Sequence, residues 1–171
     1  MRSALVILGL VAASPAAADV TASAETSFTL TEKVTVAAPV KKVWATLVSP
    51  ASWWSGAHTW SGHAENLSLA PRPGGCWCEK LGEDGGVEHM RVVFVVPGET
   101  LRLTGGLGPL QAMPATGVLT VMLTPAPGDL RSTLVVFTYA VAGAPGLGAL
   151  ATPVDGVLAA QVTRLKAAAE R

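Results

Sequence analysis

Several kinds of chemistry are missing from this chain of 171 residues. It has no Gly-Lys-Ser/Thr loop, which excludes the usual cradle for a nucleoside triphosphate. It has no Gly-x-Ser-x-Gly elbow and no His-Glu-x-x-His helix, so nucleophilic and zinc hydrolysis lack a signature. No block or stripe of Lys and Arg occurs, which argues against nucleic acid as a partner. Charged residues are sparse, at 14% of the chain, and balanced at 12 basic against 12 acidic. No apolar run approaches the ~20 residues that span a bilayer. Tyrosine occurs once, phenylalanine three times and cysteine twice, whereas tryptophan occurs five times.

What is present begins with an export pattern. Arg2 supplies a short positive region, Ala4 to Val11 an apolar stretch, and Ala16 to Ala18 the small residues that a signal peptidase reads. Cleavage is expected before Asp19. No cysteine stands near that point, which argues against a lipoprotein, and the absence of an Arg-Arg pair favours the general secretory route. The expected product is periplasmic or secreted, with no membrane span. At about 150 residues it has the size of one domain with a single core. The expected division is a signal peptide over 1–18, a flexible leader over 19–27 and a domain over 28–171.

Residues 28–36 alternate, with Phe28, Leu30, Val34 and Val36 on one face of a predicted strand. The period then changes. Ala38-Pro39 opens a helix whose stripe is Val40, Val43, Trp44, Leu47 and Val48, and Ser49-Pro50 starts a second short helical turn. Strands are predicted over roughly 65–70, 75–81, 86–96, 99–105, 115–125 and 129–141, separated by Gly- and Pro-rich turns. Such spacing indicates an antiparallel meander. A last helix opens at Thr152-Pro153-Val154-Asp155, read as a capped start. Its stripe is Val154, Val157, Leu158, Gln161, Val162 and Leu165.

The order of elements, the Ala-Ala-Pro-Val-Lys-Lys-Val-Trp helix start, the Ser-Pro-Ala-Ser-Trp-Trp segment and the Pro-Gly-Gly strand start resemble the START/SRPBCC superfamily. Within it they are most similar to the branch of Hsp90-ATPase activator homologues and polyketide cyclases. The resemblance covers about residues 28–170 and rests on structural rather than catalytic motifs. It implies an α+β helix-grip fold. In that fold a curved seven-stranded antiparallel sheet wraps around a long C-terminal helix, with two short helices after the first strand and an apolar cavity between. An export signal departs from the family pattern and argues against an Hsp90 role. Cys76-Trp77-Cys78 also departs from the family pattern, which requires no cysteines there.

The hairpin over residues 75–96 carries the candidate chemistry. A three-residue Glu83-Asp84-Gly85 loop sets Glu79 opposite His89, Trp77 opposite Arg91, Cys78 opposite Met90 and Cys76 opposite Val92. That register is preferred because its faces segregate, with Cys76, Cys78, Met90, Val92 and Phe94 on the apolar side. A two-residue turn would instead bring Lys80 against His89. Three fates are open for the cysteines: buried thiols, a disulfide that would need a bulge, or a soft-metal set with Met90. Glu79 and His89 are candidate acid and base. The plainer reading, which the pattern favours, is an exposed cross-strand ion pair.

The expected function is to hold a small apolar or aromatic molecule. Pocket walls are expected from Trp44, Trp54, Cys76, Cys78, Met90, Phe94, Leu103, Leu158 and Val162. His58 and Gln161 are expected to orient the ligand, and Gln111 is a further polar candidate. No cofactor and no resident metal are expected, and the protein is expected to be a monomer or weak dimer. Two alternatives stand beside this: a polyketide cyclase-like enzyme moving protons through Glu79 and His89, and a copper binder built on Cys76 and Cys78.

Overall fold

The computed structural model describes residues 17–171, so most of the proposed signal peptide lies outside the described residues. Eight strands form one antiparallel sheet in the order β1-β2-β8-β7-β6-β5-β4-β3. They are β1 (Ala17–Ala24), β2 (Ser27–Val36), β3 (Leu67–Leu69), β4 (Cys76–Leu81), β5 (Gly85–Val96), β6 (Thr100–Gly105), β7 (Ala115–Ala126) and β8 (Asp129–Gly143). Helix α1 (Val40–Leu47) follows β2, and helix α2 (Ala151–Glu170) closes the chain against β1, β2 and α1. This is the helix-grip architecture. No helix among the described residues is long and apolar enough to cross a membrane.

The expected leader is the eighth strand. Asp19 to Ala24 pairs along β2, from Asp19 opposite Thr31 to Ala24 opposite Ser27. Small polar residues carry no hydrophobic period, so the segment looks unstructured in isolation. Its order comes from the open edge of β2, whose backbone groups need partners.

The core lies between the concave face of the sheet and α2. Leu30, Phe137, Leu119 and Leu101 come from the sheet, and Leu158, Val162 and Leu165 from the helix, all buried. Burying each such side chain stabilises by about 1.5–3 kcal/mol. Three of them outweigh the ~1 kcal/mol that Gly156 costs the first turns of α2 relative to alanine. The helix begins one residue before the expected Thr152 cap, running on from a 3-10 turn over Leu147–Leu150 without a side-chain cap.

Tyr139, the only tyrosine, is buried on β8 and lies flat over Gly117 of β7. A Cβ at position 117 would stand 2.5 Å from the Tyr139 ring and 2.8 Å from its hydroxyl. Gly117→Ala is therefore expected to cost about 1–3 kcal/mol by overpacking. A urea midpoint unchanged from wild type would show that the ring moves aside freely.

Candidate functional site

The expected faces of the hairpin are reversed. On β4, Trp77 and Glu79 point into the protein, while Cys76, Cys78 and Lys80 point out. The register differs as well. Glu79 pairs with Val87 and Cys78 with Glu88, but Trp77 pairs with Met90 and Cys76 with Arg91. His89 is an extra residue on β5, a β-bulge. Through it both His89 and Met90, adjacent in the chain, are buried. A second bulge at Val93 moves Phe94 to the outer face, where it is 45% exposed beneath the Arg102 guanidinium. Neither turn considered from the sequence produces these pairings: Leu81 pairs with Gly85, so the loop is Gly82-Glu83-Asp84, and the bulge at His89 then shifts the ladder by one residue.

Cys76 and Cys78 form a disulfide, with Cα atoms 5.3 Å apart. They are not walls of the interior. Met90 lies on the opposite face, so the soft-metal set of Cys76, Cys78 and Met90 is not assembled.

Glu79 and His89 do meet, but as a buried pair rather than an exposed one, at 2% and 7% exposure. His89 Nε2 lies 3.0 Å from Glu79 Oε2. The same carboxylate accepts the backbone N–H groups of Trp60 and Ser61. Burial pushes the Glu79 carboxyl up. The hydrogen bonds from Ser61, Trp60 and His89 outweigh it and hold the group below the usual carboxylate range. An ionised Glu79 accepts a hydrogen bond from His89 Nε2–H and so orients the imidazole. Gly105 makes room for the bulge: at φ 145° it brings β6 so close that a Cβ would meet the His89 carbonyl oxygen at 2.6 Å.

Trp77 stands edge-on between neighbours, its centroid 5.0 Å from Trp54 and 6.4 Å from His89. Trp54 donates its Nε1–H to the His58 carbonyl at 2.9 Å. These contacts brace the segment from Trp53 to Ser61 over the sheet. Beneath it is a pocket of about 330 Å³, partly open to solvent. Its apolar walls are Trp54, Leu67, Leu107, Pro109, Leu150, Val154, Val157 and Leu158; His58, Thr59, Trp60, His89 and Tyr139 also line it. Burial pushes the Tyr139 phenol up to about 12, against the pull of the Leu107 N–H, so the hydroxyl is a neutral hydrogen-bonding group.

Of the residues expected here, Trp54, His58 and Leu158 line the pocket. Trp44 packs half-buried on α1 against the core, and Leu103 and Val162 are core residues beyond the pocket wall. Gln161 is buried and accepts the Ser55 N–H at 2.8 Å, so it pins the tryptophan segment to α2. Gln111 donates to the Glu88 carbonyl in a second, more open and polar cleft, which Met90 and His89 also line.

Tyr139, Leu107 and Val157 are walls beyond those expected from the sequence. Glu32 is likewise outside those expectations. Strand alternation places Glu32 on the same face as Leu30 and Val34, and that signal was available. Glu32 is fully buried on β2, and neither carboxylate oxygen has a hydrogen-bond partner among the described residues. Burial, and then Asp155 of α2, raise its pKa to about 8. Asp155, expected only as a helix-start residue, is half-buried and pairs with the buried Glu32 carboxyl next to pocket residue Val154.

Residues 27–170 match the family described as polyketide cyclase/dehydrase and lipid transport. Solved structures share the fold. An uncharacterised protein from Rhizobium leguminosarum is similar over 92% of this chain and 99% of its own, with 21% identity and a TM-score of 0.62. CalU16 from Micromonospora echinospora is similar over 88% and 81%, with 12% identity and a TM-score of 0.55. A norcoclaurine synthase from Thalictrum flavum, in complex with a transition-state analogue, is similar over 84% and 94%, with 13% identity and a TM-score of 0.55. No curated protein matches the chain in sequence.

Proposed function

Because the chain belongs to the polyketide cyclase/dehydrase and lipid-transport family, we propose that it binds a small, flat, largely apolar organic molecule in the pocket between the sheet and α2. The observation that carries the reading is the pocket's composition. About 330 Å³ of mostly apolar wall is joined by a few convergent polar groups, His58, His89 and Tyr139. That is the usual make-up of a small-molecule site, at the small end of its size range of roughly 300–1,000 Å³. Apolar walls supply affinity through removed water-accessible area. The imidazoles and the phenol fix orientation, since a ligand polar group left unpaired there costs binding energy. Trp60, half-exposed at the rim, offers a ring face to a planar ligand.

A second reading, proton transfer on the bound molecule, is favoured by the buried Glu79–His89 pair. With Nε2 committed to Glu79, His89 presents its remaining ring atoms to the pocket it lines. An imidazole oriented by a carboxylate is a suitable general base or acid. Export to the periplasm or medium is part of the proposal and rests on the pattern in residues 1–18.

The test is binding of the fluorescent dye anilinonaphthalene sulfonate to the folded protein. Wild type is expected to bind it with enhanced emission. Val157→Trp, which fills the pocket from a half-buried wall position, is expected to weaken binding at least tenfold while leaving the circular dichroism spectrum intact. Equal affinity for the two proteins would place the dye, and the proposed site, elsewhere. His89→Gln separates the two readings once a ligand is known: a carrier shows a change in affinity alone, whereas an enzyme loses turnover far beyond any loss of affinity.

A further inference from the structure

The Cys76–Cys78 disulfide sits on the outer face of β4, away from the pocket, yet it spans the one place in the hairpin where the ladder slips. We propose that this disulfide is a redox-exchangeable positioning element: closed, it shortens β4 and so keeps His89 bulged inward onto Glu79; opened by a dithiol reductant, it lets β4 extend and withdraws His89 from the pocket. The inference deepens the proposed use of the Glu79–His89 pair and rests on that pair's geometry.

The argument is one of chain length. Two residues along an extended strand advance about 6.6 Å. Between Cys76 and Cys78 the advance is 5.3 Å. Their partners on β5 are Arg91 and Glu88, three steps apart. Three extended steps span about 10 Å. The excess β5 backbone cannot lie flat beside so short a stretch of β4, and it arches at His89. That arch is what turns two successive side chains, His89 and Met90, inward. An extended β4 needs less arching; Met90 is held opposite Trp77 on β4 and Gly105 on β6, so regular alternation sends His89 outward.

The bond is placed for exchange. Both cysteines are only partly buried, and Glu88 is exposed with a carboxylate oxygen within 4.8 Å of both sulfurs. Arg91, opposite Cys76, is exposed and paired with Glu88. In the exchange a thiolate of the reductant attacks one sulfur and forms a mixed disulfide, expelling the other cysteine as a thiolate that takes up a proton. The second reductant thiolate then displaces the remaining cysteine. Two electrons and two protons pass to the protein, and the reductant leaves as a disulfide. The Glu88 carboxylate near both sulfurs disfavours a thiolate, and its ion pair with Arg91 offsets that charge.

The test is nuclear magnetic resonance of the His89 ring in the full chain as purified, after reduction with dithiothreitol, and after reoxidation. Intact mass, with and without alkylation, reports the bond. Reduction is expected to add two hydrogens and shift the His89 ring resonances. Magnetisation transfer between His89 and Trp77 should be lost, and all changes should reverse on reoxidation. The Cys76→Ser/Cys78→Ser double variant should match the reduced spectrum without reductant; if it fails to fold, the wild-type reduction cycle decides alone. An unchanged His89 signal in protein proven reduced overturns the inference. So does zinc uptake by the reduced thiols and Glu88 with His89 unmoved, which would make the cysteines a metal site. Dye binding by the oxidised protein is read separately, so the pocket proposal can fail without this one.

Discussion

Glu79→Ala is expected to lower the unfolding free energy by about 2–4 kcal/mol and to release the rim segment at Trp60 and Ser61. The buried carboxylate accepts two backbone N–H groups of that segment together with His89 Nε2. Its removal strands those donors, and each buried unpaired donor costs about 1–3 kcal/mol. The pH dependence follows the lowered pKa. The unfolded carboxyl titrates near 4.5 and the folded one lower. The stabilisation is therefore complete above that unfolded value and is lost as pH falls through the folded value. Glu79→Gln removes this acid-labile component, because its amide can accept one of the N–H groups but presents NH₂ to the other. Urea unfolding at neutral and acid pH, with hydrogen exchange at the Trp60 and Ser61 amides, tests the account. Amides as slow to exchange in Glu79→Gln as in wild type would refute it.

Glu32→Gln is expected to act in the opposite direction and to stabilise the protein by about 1–3 kcal/mol above pH ~8. Glu32 has no donor within reach and faces Asp155. Its folded pKa of about 8 lies above the unfolded 4.5. Between those values the folded state binds more protons than the unfolded state. Wild-type stability from this group is thus full below 4.5 and declines as pH rises through about 8. An amide is neutral throughout and can donate to Asp155, so the variant's urea midpoint should vary less across that window. Parallel midpoints for the two proteins from pH ~6 to pH ~8.5 would mean that Glu32 is already ionised or solvated in the fold. Because Asp155 adjoins Val154 in the pocket wall, dye affinity should follow the same pH trend in wild type and flatten in Glu32→Gln.

The legible part of the fold was the part governed by local periodicity. The period-two runs that became β2, β4, β5, β6, β7 and β8 have close to their predicted bounds, and so does the apolar stripe of α2. Trp54 and His58 follow the second short helical turn, where the family resemblance implies a cavity rim. Both line the pocket. The hairpin faces were less legible. Alternation assigns a face correctly only while the ladder is regular. Two bulges in β5, at His89 and Val93, reverse the assignment twice within five residues. The polarity of the side chains misled as well. Two cysteines look like better interior residues than a glutamate, unless the backbone N–H groups of a distant segment are there to receive the carboxylate.

The sequence by itself determined the order of elements, the antiparallel meander and the helix that it grips. Each of these depends on residues a few positions apart, whose spacing repeats with the pitch of a helix or the pleat of a strand. Tertiary structure alone decided that Ala17–Ala24 is an edge strand, that Glu79 and His89 are buried together and that Glu32 faces Asp155. Those outcomes depend on which backbone donors, open edges and carboxyl groups arrive from elsewhere in the chain, and the spacing of neighbouring residues carries no record of that arrival.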